Sequence, residues 1–241
     1  MEKNVFISDQ FNIWEKCKKR YYFKYIKELN LPEPEADYKY GKSVHALINY
    51  YLRGFKTDHL LKNADEKIKN TWDIIKNHPI LANKVIATEW TFNSKINNTK
   101  YWLNGRIDAV FYDEEQNKYI IADWKTGENI PKNPEYSYQC MIYLYSFFNS
   151  YKDLKLNCDL NQDNLIFQYV KISDYVEVFS IPFSEQKEKE YEEILINNIY
   201  NMENSSVFPE TNPCSVKNCQ YKCLCDYVGN TPLTPPSREG S

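Results

Sequence analysis

Asp108, in Asn104-Gly-Arg-Ile-Asp-Ala-Val110, and Asp123-Trp124-Lys125, in Ile120-Ile-Ala-Asp-Trp-Lys-Thr-Gly127, are the residues best suited to chemistry in this chain. Each aspartate sits in a short apolar run, where a carboxylate is costly unless it is paired or binds a cation. Two carboxylates brought together offer hard oxygen ligands to Mg²⁺ or Mn²⁺. A lysine beside them is a compact positive charge for a phosphate. Together they are the equipment of metal-assisted phosphodiester hydrolysis.

The elements that must position them are two strands, Tyr101–Phe111 and Lys118–Trp124, joined by the polar turn Tyr112–Asn117. Alternation along a strand sends Asp123 and Lys125 to one face and Trp124 to the other. Antiparallel pairing would set Asp108 beside Asp123. Upstream, Ser8-Asp9-Gln10 leads into a helical run through Tyr25, and a Pro-containing connector follows at Leu31–Glu35. Helices are expected over Tyr38–Gly54 and Leu60–Asn77, and a first strand over Lys84–Asn93. After the loop Thr126–Pro134, a helix over Glu135–Ser150 precedes strands at Leu165–Ile172 and Tyr175–Ile181. A helix over Ser184–Asn204 leads to a cysteine-rich coil. This order predicts an α/β fold with a central mixed sheet flanked by helices.

The 241 residues, with 42% hydrophobic composition and net charge −3, suit one large domain with a buried core. The expected domain covers residues 1–228: a helical part at 1–83, a core at 84–182, and a helix with a cysteine cluster at 183–228. The Pro- and Ser-rich stretch 229–241 reads as a disordered tail. No apolar run reaches the length of about 18 residues that spans a membrane. The first residues lack a signal-peptide core, which predicts a cytoplasmic location. Seven cysteines in a reducing compartment point to metal rather than disulfides. The spacing Cys214-x4-Cys219-x3-Cys223-x-Cys225 is too dense for chance, and four thiolates suit tetrahedral zinc or a [4Fe–4S] cluster. Cys140 and Cys158 read as structural thiols. The basic run Lys16–Arg20, interleaved with Tyr21, Tyr22 and Tyr25, could track a nucleic-acid backbone or be a solvated helix face.

These pieces, in this order, resemble the PD-(D/E)xK nuclease superfamily. The likeness is strongest to RecB/AddB-type nuclease domains and to CRISPR-associated exonucleases that carry an iron–sulfur cluster. It covers about Ser8 to Cys225 and rests on Cys17-Lys-Lys-Arg-Tyr-Tyr-Phe23, Gly41-Lys-Ser-Val-His45, Gly105-Arg-Ile-Asp108, Asp123-Trp-Lys125-Thr-Gly127 and Gln139-x3-Tyr143. The resemblance implies a restriction-endonuclease-like core in which Asp108, Asp123 and the Trp124 carbonyl hold the cation, with His45 as a further ligand and Lys125 as the catalytic lysine. It implies site roles for Glu89 on the first strand and for Gln139 and Tyr143, which share a helix face. His59 and His78 lack such context and read as solvated.

By the same resemblance, Cys17 joins Cys214, Cys219 and Cys225 around a [4Fe–4S] cluster and leaves Cys223 spare. The Cys214-x4-Cys219 spacing is wider than the family's two residues, so a local zinc site from the last four cysteines stays open. The implied activity is a Mg²⁺- or Mn²⁺-dependent DNA exonuclease on single-stranded ends, leaving a 5′-phosphate and a 3′-hydroxyl. The implied setting is CRISPR spacer acquisition or recombination and repair, with proteins of those pathways as partners and no membrane. The alternatives are a structure-specific endonuclease and a non-catalytic nucleic-acid-binding subunit.

Overall fold

A computed structural model describes residues 4–32, 38–127, 130–154, 156, 160–209 and 219–227. The chain divides into two compact units. One comprises residues 1–6 and 37–192, the other residues 7–36 and 193–241.

The first unit is built on a six-stranded mixed sheet of β1 (Val5–Phe6), β2 (Lys84–Lys95), β3 (Trp102–Asp113), β4 (Lys118–Lys125), β5 (Leu165–Ile172) and β6 (Val176–Pro182). The order is β1-β3-β4-β5-β6, with β2 also paired to β3. β2, β3 and β4 form an antiparallel meander, while β4 and β5 run parallel. Parallel neighbours require a crossover, and α6 (Tyr138–Ser150) supplies it. β4 is buried on both faces, as its near-continuous apolar run requires.

Helices cover both faces of this sheet, which makes the fold an α/β sandwich. α3 (Tyr38–Leu52) and α5 (Glu66–Ile75) lay Val44, Leu47, Ile48, Trp72 and Ile75 against Ala109, Phe111, Ile120, Ala122 and Trp124. On the other face, α6 meets the sheet through Phe147 on Trp90 and Tyr143 on Phe92 and Phe167. The expected fold class is therefore the observed one.

The second unit joins α1 (Ser8–Lys16), α2 (Lys18–Tyr21) and a π-helical turn at Tyr22–Ile26 to α8 (Lys222–Tyr227). Its packing is aromatic: Trp14 and Tyr22 meet Phe208, and Phe23 stacks on Tyr221, 5.6 Å between ring centres. The Tyr221 hydroxyl donates to the Leu29 carbonyl at 2.7 Å. α7 (Glu185–Asn204) is divided between the units at Glu192 and Glu193.

Several local expectations are corrected. The N-terminal helical run is broken at Cys17, whose backbone is extended and whose Sγ accepts the Arg20 N–H at 3.4 Å. The helix begins at Ser8 itself, and Gln10 caps it by accepting the Ile7 N–H at 2.8 Å. The helix expected over Leu60–Asn77 is two: α4 (Asp58–Lys62) and α5, separated by the polar Asn63-Ala64-Asp65. α6 starts three residues late, because Pro134–Tyr136 form a 3-10 turn and Ser137 caps the helix by accepting the Cys140 N–H. The cysteine-rich stretch carries the short helix α8 instead of coil. Cys158, Cys214 and the tail 229–241 lie outside the described residues, as does most of the connector at Leu31–Glu35.

Candidate active site

The β3–β4 ladder ends at the pair Ala109–Ala122, one step short of Asp108 and Asp123. Beyond that pair the Asp108 Oδ2 accepts the Trp124 N–H at 3.0 Å, so a carboxylate takes the place of a β3 backbone carbonyl. Trp124 turns its ring into the core against Phe111, and Asp123 and Lys125 share the opposite face as alternation requires. The Lys125 Nζ stands 2.6 Å from Asp123 Oδ2.

Asp123 is only 2% exposed. Its Oδ1 accepts the Gln139 Nε2 at 2.5 Å. Its Oδ2 is buried and faces the Lys125 ammonium. Burial pushes this carboxyl up to about 6; Lys125 opposes the shift and the charge of Asp108 adds to it. Gln139 also accepts the Lys125 Nζ at 2.8 Å, so one amide holds the carboxylate and the ammonium at a fixed spacing. The Lys125 Nζ lies 5.2 Å above the Tyr169 ring, a cation–π contact.

His45, on α3, places Nδ1 3.3 Å from Asp108 Oδ2. Burial by itself would lower its pKa. The hydrogen bond and charge of Asp108, joined by Asp123, outweigh this and hold it above the ordinary value. α3 approaches this closely because position 41, one turn earlier, is glycine: a Cβ there would sit 3.0 Å from Thr126 Oγ1. Tyr143, one turn after Gln139, lies 3.4 Å from its Nε2 and donates to the Arg106 carbonyl at 2.8 Å.

His45, Asp108, Asp123, Trp124, Lys125, Gln139 and Tyr143 are thus joined by direct contacts at one end of the sheet. Glu89 is directed elsewhere. By register it falls opposite Asp108, between the pairs Thr88–Ala109 and Trp90–Ile107. Its backbone is left-handed, with φ of 49°, and its Oε2 meets the Arg106 Nε at 2.8 Å. A left-handed non-glycine residue costs about 1–2 kcal/mol, which the surrounding sheet must supply. Sequence reasoning passed over Arg106 and Tyr169. Arg106 sits inside the Gly105–Asp108 segment, so attention to its charge would have found it; Tyr169 carried no local signal.

Among the described residues no three His, Cys, Asp or Glu side chains converge tightly enough to hold an ion as they stand. The donor set nevertheless fits a hard divalent cation. Two neighbouring carboxylates, one of them buried, carry more negative charge than the single Lys125 ammonium balances, and a hard cation would offset it.

Of the other candidates, Cys17 is buried, and Cys219 and Cys225 pack onto the Tyr22–Phe23–Tyr221 cluster. Cys140 is buried in α6, and burial raises its thiol pKa. The basic run is partly engaged within its own unit: Lys18 lies over Trp14, 4.9 Å from the ring centre. His59 is exposed as expected, whereas His78 is half-buried and caps a 3-10 turn by accepting the Ile80 N–H at 3.3 Å.

Two solved structures match the chain. That of SSO0001 covers 97% of this chain and 89% of its own, at 16% identity and a TM-score of 0.43. The crystal structure of a "putative exonuclease" from Eubacterium rectale covers 95% and 94%, at 10% identity and a TM-score of 0.51. No curated protein sequence matches the chain. No helix among the described residues is long and apolar enough to cross a membrane. The family model of the PD-(D/E)XK nuclease superfamily matches residues 9–226, spanning the whole of the Asp108–Asp123–Lys125 arrangement, and the chain belongs to that superfamily.

Proposed function

We propose that this nuclease-superfamily chain is a Mg²⁺- or Mn²⁺-dependent DNA exonuclease acting on single-stranded ends. The observation that carries the reading is the convergence of Asp108, a buried Asp123 and Lys125 at the ends of β3 and β4. Asp108, Asp123 and the Trp124 carbonyl would hold the cation, with His45 as a further ligand. Bound there, the cation would supply Lewis-acid polarisation of the scissile phosphate and a more acidic water. Lys125 would orient an attacking water and stabilise negative charge on the phosphate oxygens. Gln139 keeps Lys125 and Asp123 in register, and Tyr143 anchors this helix face to β3.

A second element of the proposal is a [4Fe–4S] cluster held by Cys17, Cys214, Cys219 and Cys225. Thiolates suit it, and the packing of Phe23 on Tyr221 brings the N-terminal segment and the last cysteines into one unit. Cys223 and Cys225 lie two apart on α8, about 200° around the helix. Cys225 packs inward while Cys223 is exposed, which favours this set over a local four-cysteine zinc site.

Purified protein with end-labelled single- and double-stranded DNA and Mn²⁺ tests the activity. Progressive shortening of single strands into 5′-phosphorylated products is expected. Discrete internal cuts would favour an endonuclease, and tight binding without hydrolysis in any divalent metal would favour a non-catalytic DNA-binding subunit.

A further inference from the structure

We infer that Arg106 is a substrate-phosphate clamp of this site and that Glu89 is its positioning residue, not a metal ligand. The inference rests on the proposed DNA-cleaving function.

Three observations carry it. First, Arg106 is 63% exposed although it lies two residues from Asp108. Its Nε meets Glu89 Oε2 at 2.8 Å, and its exposure leaves the side chain accessible to an anion from solvent. Secondly, its backbone is tied into the site: its carbonyl accepts the Tyr143 hydroxyl, which contacts the Gln139 that holds Asp123 and Lys125. A guanidinium rooted there is near enough for its charge to be felt at Tyr143. Thirdly, Glu89 adopts left-handed backbone in the interior of a strand. By register it falls opposite Asp108, yet its carboxylate reaches diagonally to Arg106. A strained backbone that aims a carboxylate at an exposed arginine beside a candidate active site serves orientation.

A phosphodiester is the ligand this geometry suits. Arginine presents a planar fork that meets two phosphate oxygens at once, which lysine cannot do. A polyanionic substrate must also be held against the repulsion of Asp108 and Asp123. A cation outside the carboxylate pair meets that need without displacing Lys125.

The test is binding of a fluorescent single-stranded oligonucleotide, in Ca²⁺ to block turnover, across a salt series, with cleavage kinetics in Mn²⁺. Arg106→Ala and Arg106→Lys are both expected to weaken binding about tenfold at low salt. Arg106→Ala should also reduce the slope of log K against log salt by about 0.7, one phosphate contact on a single strand. In cleavage the loss should fall on KM more than on kcat. Glu89→Gln and Glu89→Gly should weaken binding in the same direction, leaving the Mn²⁺ concentration for half-maximal activity unchanged. Glu89→Gly is the control for folding, because glycine accepts the left-handed backbone without strain. An unchanged salt slope in Arg106→Ala would overturn the clamp. A raised Mn²⁺ requirement in the Glu89 variants would overturn the positioning role and make Glu89 a metal ligand. Failure of the wild-type protein to bind or cleave DNA would instead overturn the function on which the inference rests.

Discussion

Asp123→Asn should make the metal-free protein more stable while abolishing cleavage. The carboxyl is held at about 6 instead of the 3.8 of a free aspartate, chiefly by burial. At ~1.4 kcal/mol per tenfold change in proton affinity, ionised Asp123 costs the folded state about 3 kcal/mol at neutral pH. The sign follows from proton linkage. Above pH 6 the folded and unfolded chains both carry the charge, and the cost is full. Between about 6 and 3.8 the folded chain binds a proton that the unfolded chain does not, so stability rises as pH falls. Asparagine imitates the protonated form, and its carbonyl can still accept from Gln139. It leaves Lys125 without its partner, but that ammonium is partly exposed and can be hydrated. A net gain of about 1–3 kcal/mol is therefore expected, or roughly 3–8 °C in Tm for a chain of this size. The assay is thermal unfolding of wild type and variant in EDTA at pH 7.5 and pH 5. The variant should lead at pH 7.5, and the gap should narrow at pH 5. Adding Mn²⁺ should reverse the order, since a ligand at a hundred times its Kd stabilises by about 2.7 kcal/mol and Asp123→Asn forfeits that binding. A variant less stable than wild type in EDTA, or a gap indifferent to pH, would refute the reasoning.

Three further outcomes are expected. His45→Ala should raise the Mn²⁺ concentration needed for activity roughly tenfold or more, with partial rescue at high metal; unchanged metal dependence would make His45 a packing residue. Gly105→Ala would place a Cβ 2.6 Å from Phe92 Cζ and 3.2 Å from Tyr143 Cε1. Such overpacking should cost about 1–3 kcal/mol of stability and lower cleavage by displacing Tyr143 from the Arg106 carbonyl; a neutral melt would show that Phe92 yields freely. Anaerobically purified protein should be brown and contain iron, and Cys17→Ser should bleach it and lower its Tm, because metal binding couples to folding. Colourless protein with about one zinc per chain, indifferent to Cys17→Ser, would favour the four C-terminal cysteines instead.

The parts of the site legible in the sequence are those governed by short-range rules. Period-two alternation and a polar turn between two apolar runs were enough to set Asp108 beside Asp123 and Lys125 on the face away from Trp124. The four-residue spacing of Gln139 and Tyr143 put them on one helix face, but their partners across the sheet had no local signature. Other features are set by tertiary contact. The left-handed backbone of Glu89 interrupts no hydrophobic pattern, so the sequence reads straight through it. The break at Cys17 lies inside a continuous helical run of apolar residues and is stabilised by a thiol–amide contact that periodicity does not register. The close approach at Gly41 has no local signal, because the approaching group, Thr126, lies 85 positions further along the chain. β1 has two residues, too few for any period to show.

Cleavage of a 5′-labelled single strand in Mn²⁺ by wild type, Asp108→Ala and Lys125→Ala, with oligonucleotide binding measured in parallel in Ca²⁺, tests the central claim most directly. The account predicts that both variants lose cleavage by several orders of magnitude, while remaining cooperatively folded and binding the strand within a few-fold. Wild-type cleavage by either variant would contradict the assignment of Asp108, Asp123 and Lys125 as the catalytic centre.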